Sequence, residues 1–205
     1  MTAIVGNSKN IKLAQHHLIL IACCGFKGDR YGALSHLKSL TEILDNIKIN
    51  KDLYKEIFLA SLNVVNVFGI ESNDKVIQRC DQVLKVLGFD QVNPVFEVYQ
   101  HGTGAWNNVC SVLNVKVGHL FASGKLDESI AATQNLLLPA RLASLNPEHD
   151  LSEEDKFNGT MTQIYEYTIL LELLKKKNNI EEGMVAVNNL KKISAQAKQY
   201  ALTQE

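Results

Sequence analysis

The sequence predicts an all-α fold built from antiparallel helical hairpins, and three observations carry that expectation. Apolar residues recur at spacings of three and four through most of the 205 residues. Glycine or a polar cluster closes each apolar stripe, and an acidic, Ser or Asn residue opens the next, which is the grammar of helix ends. No run of β-branched alternation bounded by turn residues is present.

Composition narrows the class. A chain of this length with 46% hydrophobic and 21% charged residues has room for one well-buried helical domain. Lys and Arg number 21 against 22 Asp and Glu, so no whole-chain charge footprint points to nucleic acid or to an anionic membrane, and neither is expected as a partner. Lys175 to Lys177 and Lys191-Lys192 make the last segment locally basic, but Glu181 and Glu182 lie between them, as on a solvated helix surface. Cys23, Cys24, Cys80 and Cys110 lack CxxC spacing, so they suggest neither zinc nor a disulfide framework; reduced core thiols in a cytoplasmic protein fit best. Leu20-Ile-Ala-Cys23 has the form of a lipoprotein cleavage box. Gln15, His16 and His17 interrupt the apolar run that such a signal needs, and cleavage there would remove the first helix.

Residues 1–10 are polar and form the expected lead-in to a single domain over 11–205. The first hairpin spans about 11–48. Leu13, His17, Leu20 and Cys24 share one face of its leading helix, and Ala33, Leu34, Leu37, Leu40, Leu44 and Ile47 one face of its trailing helix, with Gly25 to Gly28 between. The second hairpin, about 51–88, runs from Asn50-Lys-Asp as a cap through Leu53, Ile57, Ala60, Val64 and Val67 to Gly69. It continues through Val76, Ile77, Cys80, Val83, Leu84 and Leu87 to Gly88. Pro94 and His101-Gly-Thr-Gly104 break the regularity that follows. In the third hairpin, about 105–140, Trp106, Val109, Cys110, Leu113, Val117, Leu120 and Phe121 lead, Ile130, Thr133, Leu136 and Leu137 trail, and Pro139 interrupts or ends the helix. Ser152-x-x-Asp155, an acidic capping box, opens the fourth, about 153–201. Ile164, Tyr167, Leu171 and Leu174 mark its first helix, and Ile180, Met184, Val187, Leu190, Ile193, Ala197 and Tyr200 its second.

The trailing helices align with one another. Ala33-Leu34, Val76-Ile77, Ser129-Ile130 and Gly183-Met184 superpose, followed seven positions on by Leu40, Val83, Leu136 and Leu190. The turn pattern Gly-x-x-x-x-small-apolar, as in Gly28 to Ala33 and Gly124 to Ser129, resembles that of the tetratricopeptide repeat family. Gly118 stands where that family has the small residue of its leading helix, and Pro139 is near its terminal proline. The intervals from 33 to 76, 76 to 129 and 129 to 183 are 43, 53 and 54 residues, against about 34 in the family. The resemblance implies a right-handed α-solenoid of about four hairpins, with longer helices than the standard repeat.

No reaction is legible. His16, His17, Cys23 and Cys24 are the nearest approach to a metal cluster, yet only two of them share a face and HExxH is missing, so no metal is expected. His101 to Gly104 lacks the Gly-Lys-Ser/Thr ending of a phosphate loop, and GxSxG is absent, so no cofactor is expected either. The resemblance implies instead that leading helices line a concave surface. Asn63 and Asn66 in the second hairpin, and Asn107, Asn114 and Lys116 in the third, become the candidates to hold a peptide backbone or a carboxylate. Lys116 precedes Gly118 by two and His119 follows it, which departs from the family's clamp for acidic C-terminal tails. The expected function is a non-enzymatic scaffold or adaptor for a peptide segment or protein partner, acting alone or as a subunit of a larger complex. The alternative is a helical-bundle enzyme or a small-molecule or metal binder with a pocket near Trp106, His119 and the first histidines.

Overall fold

A computed structural model describes residues 2–46, 51–95 and 102–202, and among them every regular element is helical. The chain packs as two compact units, 1–87 and 88–205, where the sequence suggests one domain. Ile47, residues 96–99 and His101 lie outside the described residues.

The first unit holds α1 (Thr2–Phe26), α2 (Arg30–Asn46), α3 (Lys51–Val67) and α4 (Asn73–Val86). α1 begins at Thr2, inside the stretch read as a lead-in. It packs on α2 and on α3, and α3 packs on α4. The trailing stripes are as the sequence suggests: Ala33, Leu37, Leu40 and Leu44 on α2, and Val76, Cys80, Val83 and Leu87 at the end of α4, are all buried. The leading stripes are rotated from the expected ones. On α1 the buried residues are Ala14 and Ile21 while Leu13 is exposed, and on α3 they are Ile57, Phe58, Ser61, Leu62 and Val65 while Val67 is exposed. The lipoprotein-like box therefore sits within α1, with Ile21 in the core.

The second unit holds α5 (Gly102–Ala122), α6 (Leu126–Ala132), a π turn (Thr133–Leu137), α7 (Leu138–Ser144), a 3-10 turn (Pro147–His149), α8 (Glu153–Lys177) and α9 (Ile180–Leu202). α5 packs on α6, the π turn and α7; α8 packs on α6, α7 and α9. Of the two outcomes expected at Pro139, the helix is interrupted and does not end. The backbone runs on through α7 to Ser144, and the wider π turn ahead of the proline takes up the missing N–H. That turn also moves the buried stripe by one position, so Ser129 and Thr133 are followed by fully buried Leu137 rather than by half-exposed Leu136. In α9 the alignment is likewise displaced: Ala186, Ile193 and Ala197 are buried, and Met184 is exposed.

One turn device recurs. Gly28, Gly69 and Gly124 adopt positive φ after α1, α3 and α5, and the next residue's N–H reaches back to Cys24, Val65 and Leu120 carbonyls. Asn178, at φ 58°, does the same after α8, with Asn179 N–H on the Leu174 carbonyl. These are Schellman ends, which need a left-handed residue and accept Asn in place of Gly. The second and fourth turns thus use the device although neither carries the Gly-x-x-x-x-small pattern. Ser152 caps α8 as expected, its Oγ accepting from Asp155 N–H at 3.1 Å.

Candidate functional site

The second unit carries polar groups where a core is ordinarily apolar. α8 buries Thr160, Gln163 and Glu166 and leaves Met161 and Tyr165 exposed, Tyr165 to 62%. Buried polar residues and exposed large apolar ones are the informative departures from normal burial.

Glu166 is fully buried, and Arg141 of α7 reaches it with two nitrogens. Nη2 donates to Oε1 at 2.9 Å, and Nε donates to Oε1 at 3.1 Å and to Oε2 at 3.3 Å. Asn114 Nδ2 donates to Glu166 Oε1 at 3.1 Å, and Arg141 Nη1 donates to Asn107 Oδ1 at 3.1 Å. Burial pushes the Glu166 carboxyl above its ordinary range, opposed by Arg141 and Asn114. Burial also disfavours the Arg141 cation, but the Glu166 hydrogen bonds and charge outweigh it, and the guanidinium is held above its ordinary value. The forked geometry marks a charge-assisted pair with both groups ionised. Cys110, beside them on α5, is pushed up to about 12, mainly by burial, so its thiol stays protonated and is no nucleophile.

Above this network a groove of about 650 Å³ opens between α5 and α8. Val117, Phe121, Ile169 and Leu173 give it apolar walls, with Thr162, Tyr165, Thr168 and Glu172 as its polar members. Gly118 lies in its floor, and a Cβ there would meet nothing within 4 Å. Gly118 is therefore not a close-packing residue between helices, as the family likeness implies. That role falls to Ser129 of α6, fully buried, whose Oγ donates to the Val117 carbonyl at 3.1 Å. Lys176 Nζ sits 4.4 Å from the centre of the Phe121 ring, a cation–π contact at the groove's edge.

The sequence candidates fall into three places. Asn107, itself exposed, and half-buried Asn114 bond the buried Arg141–Glu166 pair, and Asn114 also lines the groove. Lys116 turns to Gln91, donating from Nζ to Oε1 at 2.6 Å. Asn63 is exposed and Asn66 half-buried on α3 of the first unit. The network's two charged members, Arg141 and Glu166, escaped sequence reading because their pairing spans 25 residues across the π turn.

The histidine and cysteine cluster disperses. His17 Nδ1 meets His36 Nδ1 of α2 at 3.3 Å, while Cys23 is exposed and Cys24 half-buried. Burial lowers the His17 pKa, with His36 and then His16 adding to it. Among the described residues no three His, Cys, Asp or Glu side chains gather to hold a metal. Trp106 belongs to the core, edge-on to Phe89. No described helix is long and apolar enough to cross a membrane. Comparisons with protein families, with curated proteins and with solved structures find no match for this chain.

Proposed function

We propose that this chain is a non-enzymatic, tetratricopeptide-like adaptor that receives a short peptide segment of a protein partner in the α5/α8 groove. The observation that carries the reading is the groove itself: an open, apolar-walled channel over an ordered polar floor, with Tyr165 presented at its side. An apolar side chain of the peptide would sit on Val117, Phe121, Ile169 and Leu173. The hydroxyls of Thr162, Thr168 and Tyr165 are suited to its backbone groups. The finer fold in this proposal is a right-handed α-solenoid of four hairpins, with α5 and α8 as leading helices. Supporting it are the buried trailing stripes of α2, α4 and α9, which share one register once Ala186 is aligned with Ala33 and Val76. Four free cysteines favour a reducing, cytoplasmic setting.

Peptides selected for binding from a random library test the reading. Gly118→Leu, whose Cβ meets nothing within 4 Å, places a side chain in the groove and is expected to weaken them at least tenfold, as is Tyr165→Ala. Asn63→Ala, in the first unit, leaves binding unchanged. Peptides that bind Gly118→Leu as tightly as the parent protein, or a selection that yields none, would sink the proposal.

A further inference from the structure

A second cavity, of about 420 Å³, opens on another side of α8, bounded by the π turn, α7 and α9. Its walls are amphipathic, with Gln134 bonded to Glu182 and Tyr167 to Asn189 within them. Gln163 is only 7% exposed, lines this cavity, and makes no side-chain hydrogen bond among the described residues. Its amide is not cut off from solvent, so it meets the water of the cavity, which a ligand bonding it would replace.

The backbone adds an independent sign. Pro139 has no N–H to give, so the carbonyl it would have served lacks its intrahelical donor. That carbonyl is Gln134 in the π register and Asn135 in the α register, and both residues line the cavity. The unused backbone group is an acceptor in either case.

Charge narrows the ligand. Glu182 is the one charged residue lining the cavity, and no Lys, Arg or His accompanies it there. Gln134 Nε2 donates to Glu182 Oε2 at 2.8 Å, and this bond, with one from Asn179, holds the carboxyl below its ordinary range. Lys177, the nearest cation to affect it, is bonded to Asp127. A free carbonyl, a carboxylate and an amide oxygen all ask for N–H donors and favour positive charge. Leu138, Leu142, Leu170 and Val185 ask for hydrocarbon.

We infer that this cavity binds a protonated amine carried on an apolar stem, with Glu182, Gln163 and the π-turn carbonyl as acceptors for the ammonium. The same chemistry is offered by a free alkyl- or arylalkylamine and by the lysine side chain of a peptide.

Titration of the full chain, followed by amide NMR shifts, tests this with hexylamine, 2-phenylethylamine, N-acetyl-lysine methylamide and neutral hexanol. The amines are expected to shift α7, α8 and α9 resonances and to bind at least tenfold more tightly than hexanol. Glu182→Gln, a change at an exposed position, removes that preference and leaves hexanol unaffected. Gln163→Leu weakens amine binding and not hexanol binding, because the amide acceptor is gone. Tighter binding of the lysine derivative than of the free amines assigns the site to peptides, and the reverse assigns it to small molecules. Equal binding of hexylamine and hexanol, or amine shifts that survive Glu182→Gln unchanged, overturns the inference.

Discussion

Removing Arg141 should be among the most damaging single changes to the second unit. Glu166 is fully buried, and with Arg141→Met it keeps only the Asn114 amide as a donor. Stranding one partner of a buried ion pair costs about 3–5 kcal/mol, a large part of the 5–15 kcal/mol that typically holds a domain together. Glu166→Leu strands Arg141 in turn, with Asn107 alone accepting from it, and a guanidinium cannot shed its proton to escape. The double variant Arg141→Met/Glu166→Leu replaces the pair by hydrocarbon of similar bulk and should return to within about 1–2 kcal/mol of the parent. Trp106, the chain's single tryptophan, is buried on α5 next to Asn107, so its fluorescence in urea reports this unit selectively. The pH profile of Arg141→Met supplies a second readout. Without the cation, burial raises the folded Glu166 pKa above its unfolded value, so the native state holds the extra proton in the window above about 4.5. Stability of that variant therefore falls as pH rises through this window, and is partly restored by acid. A loss below about 1 kcal/mol for either single variant, or losses that simply add in the double variant, would refute the reasoning.

Gly118→Ala should stabilise the protein by about 0.5–1 kcal/mol, since it removes a glycine from a helix interior where the new Cβ meets nothing. Gly124→Ala, at φ 75°, should cost about 1–2 kcal/mol, and the same urea titration separates the two. In the first unit, His17 has a folded pKa below the usual 6.5, so the unfolded chain takes up the proton first on acidification. Stability that this histidine allows at neutral pH is lost as pH falls below about 6.5 and levels off beneath the folded pKa. Circular dichroism melts should show that slope reduced in His36→Gln; equal slopes in the two proteins would discount the pair.

The trailing helices of the first unit were legible, whereas the faces of α1 and α3 were read with the wrong rotation and that of α8 without its polar members. α2 and α4 bury most of the expected positions, Ala33, Leu37, Leu40 and Leu44 on the one and Val76, Ile77, Cys80, Val83, Leu84 and Leu87 on the other, because small or aliphatic side chains fill them; Leu34 is half-buried. On α8 the apolar pattern pointed to Ile164, Tyr167, Leu171 and Leu174; only Leu174 is buried, the others being half-buried, and the core also takes Thr160, Gln163, Glu166, Leu170 and Leu173. A search for hydrophobic periodicity passes over a buried carboxylate, since its partner supplies what makes burial tolerable. That partner lies beyond Pro139, at which a local rule interrupts or ends the helix. The π turn that lets the chain continue leaves no local residue signature except the proline itself. Asn107 and Asn114 were singled out as polar residues on a leading helix, and both do touch the site, but from beneath it.

The Arg141–Glu166 pair contributes little net stability over a hydrocarbon equivalent, so its value must be sought in what it forbids. Sliding α8 by one turn along α7 would place a carboxylate and a guanidinium in the core without each other, at a cost of several kcal/mol. An apolar interface of Leu and Val would resist that slip far less, because one aliphatic contact replaces another. Asn107 and Asn114 tie the same two charges to α5, so the register of α8 is fixed against both neighbours at once. Tyr165 and Ile169, one residue before and three after Glu166, are thereby held opposite Val117 and Phe121. The groove's shape is thus set by the polar contacts of Glu166, with Phe121 and Ile169 left partly exposed beside the buried Val117 and Leu173.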